Sequence, residues 1–386
     1  MKIAGIVAEY NPFHKGHRYQ TEILREAGYE GVVAAMSGNF VQRADVAFTD
    51  KYRRAAAAVA GGVDLVIELP LPYAVASAED FARGGVEILT SLGVIDALCC
   101  GCESGDESNR KQYEALCLAE EKGLIREKIR RGLSYPAACK EAVRELGGAW
   151  SEEPNDVLAL AYRKALKEAS SSTPLVAIQR KGSYYGDGGE GFESASSIRK
   201  RIQKGEAWKD SLPDLAFEHL KNAPLADLTR LERGILAYYR TASAEELKGF
   251  YGMREGLAER ICNASEAKDL ADLYDRVKTK RFPHSAVRRA VLCGYLKIPK
   301  NLPKLSYLRV LAFNDRGQEI LRQAKGKATL PICSGLTPQM HTDPATREMV
   351  DLQLNADEIF ALSLPKAGPK RWDFLESARK IPQFGK

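Results

Sequence analysis

The sequence has 386 residues, of which 45% are hydrophobic and 28% charged, and its formal net charge is +6. These proportions are typical of a folded globular protein and exclude a disordered or collagen-like chain. The sequence contains no run of about 18 uncharged apolar residues and begins without the features of a secretory signal. We therefore expect a cytoplasmic protein without membrane spans, and at this length we expect two domains.

The eight cysteines predict reduced thiols rather than disulfides, because a chain of this length and apolar content forms a core without covalent crosslinks. Cys99 and Cys102 are spaced as in a C-x-x-C motif, but no second pair follows at the spacing of a zinc site. We expect Cys99, Cys100 and Cys102 to be buried thiols at the end of a strand, and we predict no metal site built from protein side chains.

Apolar runs alternate with helix-forming segments over the first hundred residues. Short runs rich in β-branched residues predict strands at residues 2–8, 31–36, 63–69 and 94–100. Helical periodicity appears between them, at residues 17–27, 51–60 and 77–92. Strands that alternate with helices of this length indicate βαβ units, so we predict a Rossmann-like α/β fold with a parallel sheet covered on both faces.

Residues 106–170 contain several consecutive helix-forming stretches rich in Glu, Lys, Arg and Ala, which predicts a helical insertion before the sheet resumes at residues 174–179. A glycine-rich loop follows, and Ser194 opens another helix. We place a domain boundary just after that helix. This gives an N-terminal catalytic domain of residues 1–205 and a mainly helical C-terminal domain of residues 206–386, with one strand-like run at residues 305–313.

The first strand leads into Asn11-Pro12-Phe13-His14-Lys15-Gly16-His17, where a helix is predicted to begin. Open α/β sheets bind ligands at the carboxyl ends of their strands, and a helix N-terminus there favours phosphate groups. His14 and His17 are three residues apart, which places both imidazoles on one side of the first turn. Gly16 removes a side chain where a nucleotide would approach the backbone.

Two imidazoles in this position predict electrostatic stabilisation of an α-phosphate while pyrophosphate leaves. The alternative is that both histidines are ordinary polar residues of a surface turn. The combination of a strand, Asn-Pro-Phe, His-x-Gly-His and a helix favours the catalytic interpretation.

This motif resembles the phosphate-handling motif of the HxGH nucleotidyltransferases and the class I aminoacyl-tRNA synthetases. Ser196-Ser197-Ile198-Arg199 resembles the second signature of these enzymes, in which hydroxyls and a cation at a helix start hold the departing phosphates. The resemblance implies catalytic roles for His14, His17, Ser197 and Arg199. For residues 194–199 the alternative is a plain helix N-cap, since serine is common at that position.

Four segments together resemble the bacterial tRNA(Met) cytidine acetate ligase family: Ala8 to His14, Met36 to Arg43, Asp64 to Pro70 and Ser194 to Arg199. The resemblance is strong over the first two hundred residues and diffuse beyond them. It implies that ATP, with Mg²⁺, and acetate give acetyl-adenylate and pyrophosphate. It also implies that the acetyl group passes to N4 of the wobble cytidine of elongator tRNA(Met). The residues by themselves indicate adenylyl chemistry only.

The same resemblance implies an ATP site made of Val7, Ala8, Glu9, Tyr10, Asn11, Pro12, Phe13, His14, Lys15, Gly16, His17, Arg18, Tyr19, Gln20, Gly101, Asn155, Arg180 and Ser196. Three of these have a separate rationale. A glycine at a strand end permits close ligand approach, an amide beside a helix start can read a base or ribose, and a cation past a strand can pair with phosphate. Without the resemblance, Gly101, Asn155 and Arg180 are equally a turn glycine, an N-cap and a solvated charge.

Other nucleotide-binding motifs are absent or misplaced in the sequence. Residues 186–191 satisfy G-x-G-x-x-G, but they do not directly follow a strand and lie far from a first βα turn, so we interpret them as a loop. The sequence contains no G-x-x-x-x-G-K-[ST], which excludes a P-loop.

Residues 276–289 contain six Lys or Arg and no acidic residue. Charged helix faces usually mix both signs, so this run predicts contact with the phosphates of an RNA partner, supported by a second cluster at Arg199, Lys200, Arg201 and Lys204. Phe282, Tyr295 and Tyr307 either stack on unpaired anticodon bases or belong to the core.

Two other functions stay open at this point. One is a small-metabolite adenylyltransferase that joins AMP to a pantetheine or nicotinate nucleotide acceptor, which the basic C-terminal half disfavours. The other is a non-catalytic RNA-binding protein on a nucleotidyltransferase scaffold, which the retained histidines and second signature disfavour. The sequence leaves the oligomeric state undetermined.

Overall fold

The computed structural model describes residues 1–179 and 192–382. Within these ranges the strands are β1 (Ile3–Ala8), β2 (Gly31–Ser37), β3 (Phe40–Val41), β4 (Asp45–Val46), β5 (Leu65–Leu69), β6 (Ala97–Cys102), β7 (Leu175–Gln179), β8 (Leu308–Phe313), β9 (Ile332–Cys333) and β10 (Arg379–Lys380). Short 3₁₀ helices occur at Lys209–Ser211, Leu228–Leu231 and Trp372–Phe374.

The helices of the N-terminal half are α1 (Lys15–Glu26), α2 (Lys51–Gly61), α3 (Leu71–Ala74), α4 (Ala78–Ser91), α5 (Asp106–Glu121), α6 (Leu124–Arg130), α7 (Tyr135–Glu145), α8 (Pro154–Glu168) and α9 (Ala195–Gln203). Those of the C-terminal half are α10 (Asp214–Leu220), α11 (Glu232–Thr241), α12 (Ala244–Leu247), α13 (Leu257–Asn263), α14 (Leu270–Val277), α15 (His284–Tyr295), α16 (Asp315–Ala324), α17 (Pro338–Thr342) and α18 (Arg347–Ala361). None of the helices in the described residues is long and apolar enough to cross a bilayer.

The central sheet has the strand order β10-β8-β5-β2-β1-β6-β7, with β9 paired to β8. The pairs from β5 through β2, β1 and β6 to β7 are all parallel, as predicted from the alternation of strands and helices. The predicted α/β fold with a parallel core is therefore confirmed. The chain first runs outward from β1 to β2 and β5 and then returns to the other side of β1 with β6.

Helices cover both faces of this sheet because alternate residues of each strand point to opposite sides. Val33 and Ala35 of β2 pack with apolar residues of α4, α8, α16 and α18. Val32, Ala34 and Met36 of the same strand pack with α1, α2 and α10. Each residue of β2 is buried, which explains why the sequence of this strand is a nearly continuous apolar run rather than an alternating one.

The sheet also contains strands that the sequence analysis did not place there. The strand-like run at residues 305–313 is β8, and it pairs antiparallel with β5, so the sheet is mostly rather than wholly parallel. β9 and β10 extend it in parallel with β8. The predicted domain boundary near residue 205 stays a prediction, but residues far beyond that boundary complete the N-terminal sheet.

The predicted helical insertion lies between β6 and β7. Helices α5, α6 and α7 enclose a small core of their own, which includes Leu116, Ile125 and Val143. Helix α8 instead packs along α4 and β6, so it belongs to the sheet layer. The insertion is thus three helices with a core of their own, of which α5 also contacts β7, and a fourth helix that lies on the sheet.

The helices of the C-terminal half form a second core that reaches the N-terminal half through the β3–β4 hairpin. Phe40 and Val46 of the hairpin lie in the same buried cluster as Val287 and Val291 of α15. This contact fixes α15 beside the loop that follows β2.

A buried ionic network joins the two halves beneath α2. The Lys51 ammonium lies 2.9 Å from Glu68, 2.7 Å from Asp357 and 3.1 Å from Asp373, and Arg309 lies 2.6 Å from Asp373. All five side chains are 2% exposed or less. Burial, which the nearby Lys51 only partly offsets, raises the pKa of Asp357 to about 8. Three carboxyl groups thus share two cations, so one of them tends to keep its proton near neutral pH.

The cysteines are free thiols, as expected. Cys99, Cys100 and Cys102 lie buried on β6, and burial raises the pKa of Cys99 to about 12 and that of Cys102 to about 11. Both thiols are therefore protonated at neutral pH and poor nucleophiles.

Candidate active site

A cavity of about 760 Å³ opens at the carboxyl edge of the sheet, beside β1. β1 lies between β2 and β6, and the chain order reverses there. Open α/β sheets bind ligands at such a switch point, because the loops on either side of it diverge and leave a crevice.

The cavity brings together most of the predicted site residues. Its walls include Val7, Ala8, Glu9, Tyr10, Asn11, His14, Gly16, His17, Tyr19, Gln20, Gly101, Asn155, Ser196 and Arg199. Pro12, Phe13 and Ser197 are not among its lining residues, and Arg180 lies outside the described residues. Lys15 and Arg18 instead line a second, open depression together with Arg201 and Lys209.

The two histidines stack on each other at the start of α1. Their ring centroids are 3.8 Å apart and the ring planes differ by 29°. His14 is the N-cap of α1, and its Nδ1 accepts a hydrogen bond of 3.0 Å from the Gly16 N–H. His17 Nδ1 accepts one of 3.2 Å from the His14 N–H. The pair therefore forms a reciprocal capping box, built from two imidazoles instead of the usual serine and glutamate.

This arrangement fixes the tautomer of both rings. A nitrogen that accepts a hydrogen bond carries no proton, so a neutral ring must carry its proton on Nε2. In their neutral form His14 and His17 therefore carry the proton on Nε2, where it is a hydrogen-bond donor.

Neighbouring side chains hold the imidazoles in place. Tyr10 and Phe13 contact the His17 ring at centroid distances of 4.9 and 5.5 Å. Tyr10 is in the left-handed backbone region with φ of 44°, and burial raises the pKa of its hydroxyl. At Gly16 a Cβ atom would lie 2.9 Å from the His14 ring. Gly16 therefore makes room for His14, in addition to the predicted approach of a nucleotide.

The second signature faces the first across the cavity. Arg199 donates 2.6 Å to the carbonyl of Asn11 and 3.3 Å to the Ser196 hydroxyl, and burial lowers its pKa. Ser194 is the N-cap of α9, as the plain-cap alternative proposed, and it accepts from the N–H of Ser197. The Ser197 hydroxyl donates to Glu193 at 2.7 Å. In the structure Ser196 and Arg199 face the cavity, whereas the Ser197 side chain is engaged elsewhere.

A buried arginine that the sequence analysis did not single out supports the loop after β1. Arg54 is 0% exposed, and its guanidinium donates to the carbonyls of Glu9 at 2.6 Å, Ser37 at 2.9 Å and Thr49 at 3.2 Å. Burial lowers its pKa to about 10, so it remains a cation at neutral pH. Arg54 thereby ties the ends of β1 and β2 together directly beneath the cavity.

On the other side of β1, Asn155 lies at the start of α8 and donates 2.5 Å to Glu103, just beyond β6. Asp156 accepts from the N–H groups of Glu103 and Ser104 at 2.9 and 3.1 Å. These bonds hold the turn after Gly101 against α8. Gly101 and Asn155 therefore occupy one wall of the cavity.

The basic run at residues 276–289 divides between two places. Arg288 and Arg289 line the cavity, whereas Lys280 and Arg281 are exposed. Phe282 and Tyr307 are 4% and 3% exposed and belong to the core.

Two comparisons identify the family. A family model described as HIGH Nucleotidyl Transferase matches residues 1–372. The tRNA(Met) cytidine acetate ligase of Caldanaerobacter subterraneus subsp. tengcongensis is 35% identical over 403 residues, which cover 99% of this chain and 100% of that protein. The chain belongs to the tRNA(Met) cytidine acetate ligase family. A member from Thermosipho africanus is 34% identical, with 86% of this chain and 84% of that protein covered.

The solved structure of Thermotoga maritima TmcAL bound with alpha-thio ATP has the same fold. Its TM-score is 0.89 at 29% identity, covering 99% of this chain and 100% of that one. The resemblance to the tRNA(Met) cytidine acetate ligase family inferred from four short segments is confirmed, and it extends over the diffuse C-terminal half as well.

The sequence analysis of this family member did not predict several of the residues that line the cavity. Gln42 and Arg43 lie just after β3, within a segment that carried the resemblance but offered no chemical pattern. Arg288 and Arg289 were counted only as part of a basic run. Tyr162 and Phe192 reach the cavity from distant elements and gave no signal in the sequence.

Proposed function

We propose that this chain is an ATP-dependent ligase that activates acetate as acetyl-adenylate and transfers the acetyl group to N4 of the wobble cytidine of elongator tRNA(Met). The observation that carries the proposal is the stacked pair His14 and His17, which faces Arg199 and Ser196 at the switch point of the sheet. Membership of a family whose curated members bear the name tRNA(Met) cytidine acetate ligase supplies the substrates.

In the first step an acetate oxygen attacks the α-phosphorus of ATP, and the bond from that phosphorus to the β-phosphate oxygen breaks. Negative charge builds on the α-phosphate oxygens, where the Nε2–H groups of His14 and His17 would stabilise it. Arg199 would bind the departing pyrophosphate, with Ser196 beside it. Mixed acetyl-adenylate anhydride and pyrophosphate are the products.

In the second step N4 of the cytidine attacks the acetyl carbonyl, AMP leaves, and N4 loses a proton. The side chains have no covalent part in either step, so catalysis consists of positioning and charge stabilisation.

Mg²⁺ would enter with ATP as the metal–nucleotide complex. In the described residues no group of three or more His, Cys, Asp or Glu side chains is placed to hold a metal. ATP phosphates and water would then supply most of its ligands, as is usual for Mg²⁺.

The test is ATP–pyrophosphate exchange measured with a panel of small carboxylic acids, with and without tRNA, followed by acetylation of purified tRNA. We expect exchange that depends on acetate, and N4-acetylcytidine in elongator tRNA(Met) only. Exchange that depends on a phosphorylated metabolite would favour the metabolite adenylyltransferase. Absence of exchange with every acid would favour the scaffold alternative.

The exposed part of the basic run gives a prediction about tRNA binding. Changing Lys280 and Arg281 together to Ala should weaken tRNA binding and lower the slope of log affinity against log salt by about 2, because each phosphate contact contributes about one counterion. ATP affinity should stay the same. The matched control is Lys325→Ala with Lys327→Ala, a pair of exposed lysines beyond α16. An unchanged salt slope would remove Lys280 and Arg281 from the interface.

A further inference from the structure

The cavity has walls on both sides of β1. Gly101 and Asn155 lie on the β6 side, and His14, His17 and Arg199 lie near the centre. On the β2 side the cavity is closed by residues of the hairpin region and of α15. We call these residues the α15 wall: Gln42, Arg43, His284, Ser285, Arg288 and Arg289.

The two arginines that α15 contributes to this wall differ in their partners. Arg288 lies 3.3 Å from Asp45, but Arg289 makes no ion pair with a carboxylate in the described parts of the chain. Its guanidinium donates instead to the carbonyls of Val75 at 3.0 Å and Gln42 at 3.3 Å. Those bonds hold the side chain in one place, so Arg289 presents a fixed cation to the cavity.

The position of the α15 wall favours a second anion over the phosphates of ATP. In the proposed function the phosphates of ATP bind at the start of α1 and at Arg199, which donates to the carbonyl of Asn11 just after β1. Arg43 of the α15 wall donates to the Ser196 hydroxyl at 3.5 Å, whereas Arg288 and Arg289 lie on the helix that follows Lys278, Lys280 and Arg281, all three of which are exposed. A row of cations that leads from the protein surface into a cavity fits a chain of phosphodiesters.

We propose that the α15 wall binds the phosphodiester beside the acceptor cytidine, with Arg289 as its main contact. This inference rests on the proposed function and assigns the path of the RNA strand. The strand would follow the exposed cations, turn at Arg289 and place the base in the cavity from the β2 side. There its N4 would meet the acyl-adenylate, whose adenosine would occupy the β6 side.

The test variant is Arg289→Gln, because glutamine keeps a donor for the two carbonyls and loses the charge. We expect kcat/KM for tRNA acetylation to fall about tenfold more than acetate-dependent exchange does, and the salt slope of tRNA binding to fall by about 1. Arg233→Gln is the matched control, since Arg233 is an exposed arginine of the C-terminal half with no ion pair in the described residues. Thermal melting of both variants reports any loss of fold.

Two outcomes would overturn the inference. A rise in KM for ATP or pyrophosphate that matches the loss of acetylation would mean that the wall holds the phosphates of ATP. An equal loss of both half-reactions with a lower melting temperature would mean that Arg289 only holds the hairpin. Failure of the proposed function would give a different result from failure of this inference, because the wild-type protein would then lack acetate-dependent exchange. The tRNA affinity of Arg289→Gln would still test the α15 wall in that case.

Discussion

Replacing His17 with alanine is expected to reduce ATP–pyrophosphate exchange by about 10²–10³-fold, the loss seen when one preorganised donor to a developing oxyanion is removed. The His17 ring stacks on His14 and receives the His14 N–H on Nδ1, so its loss also removes half of the capping box. We expect the effect in kcat, since the donor acts most strongly on the transition state. Exchange and tRNA filter binding measure it.

Three controls distinguish a catalytic effect of His17→Ala from a loss of folding. His17→Asn keeps a side chain that can accept from the His14 N–H, so it should restore stability but not exchange. His341→Ala removes a partly exposed histidine of α17 and should leave exchange unchanged. Binding of tRNA should survive in His17→Ala. Full exchange activity in a well-folded His17→Ala protein would refute the role assigned to the histidine pair.

Replacing Lys51 with methionine is expected to lower the free energy of unfolding by about 3–5 kcal/mol, the usual result of leaving buried charges without their partner. Lys51 lies within 3.1 Å of three carboxylates, and Arg309 alone would remain to balance them. Urea denaturation followed by circular dichroism measures the change. An exposed lysine, Lys325→Met, is the matched control and should shift stability by less than about 0.5 kcal/mol.

The loss in Lys51→Met should depend on pH. Burial already raises the pKa of Asp357 in the folded state to about 8, and loss of the ammonium raises it further above the unfolded value, so the folded protein binds more protons than the unfolded one. The stability that this proton uptake contributes is then retained at low pH and lost as the pH rises through the pKa of the carboxyl group in the folded state. The deficit should therefore be larger at pH 8 than at pH 6, and a deficit that does not vary with pH would contradict the account.

Local patterns in the sequence predicted the candidate histidine pair, because its residues are close in the chain and the structure brings them together at the cavity. His14, Gly16 and His17 lie within four consecutive residues, and the strand before them and the helix after them follow from ordinary periodicity. Arg199 and Ser196 were reached through a short second motif. These two residues come close to the histidine motif only in the folded protein, but each motif can be recognised in the sequence by itself.

Contacts between distant segments could not be predicted in this way. Arg54 looks like any charged residue of an amphipathic helix, and only the fold shows that it contacts the backbone after β1 and β2. In the sequence Arg289 is simply one residue of a basic run. In the structure it lines the cavity, whereas Arg281 of the same run is exposed to solvent. The antiparallel pairing of β8 with β5 has no local signature, because strand direction depends on the whole intervening path.

The pairing of β5 with β8 also has a consequence for synthesis on the ribosome. Residues 65–69 are made first, and their partner at residues 308–313 emerges only after the long stretch of chain between them. Until then β5 is an open strand edge, and open edges recruit other chains. We expect the nascent protein to be prone to aggregation until β8 has emerged, and residues 1–205 expressed alone to keep that open edge permanently.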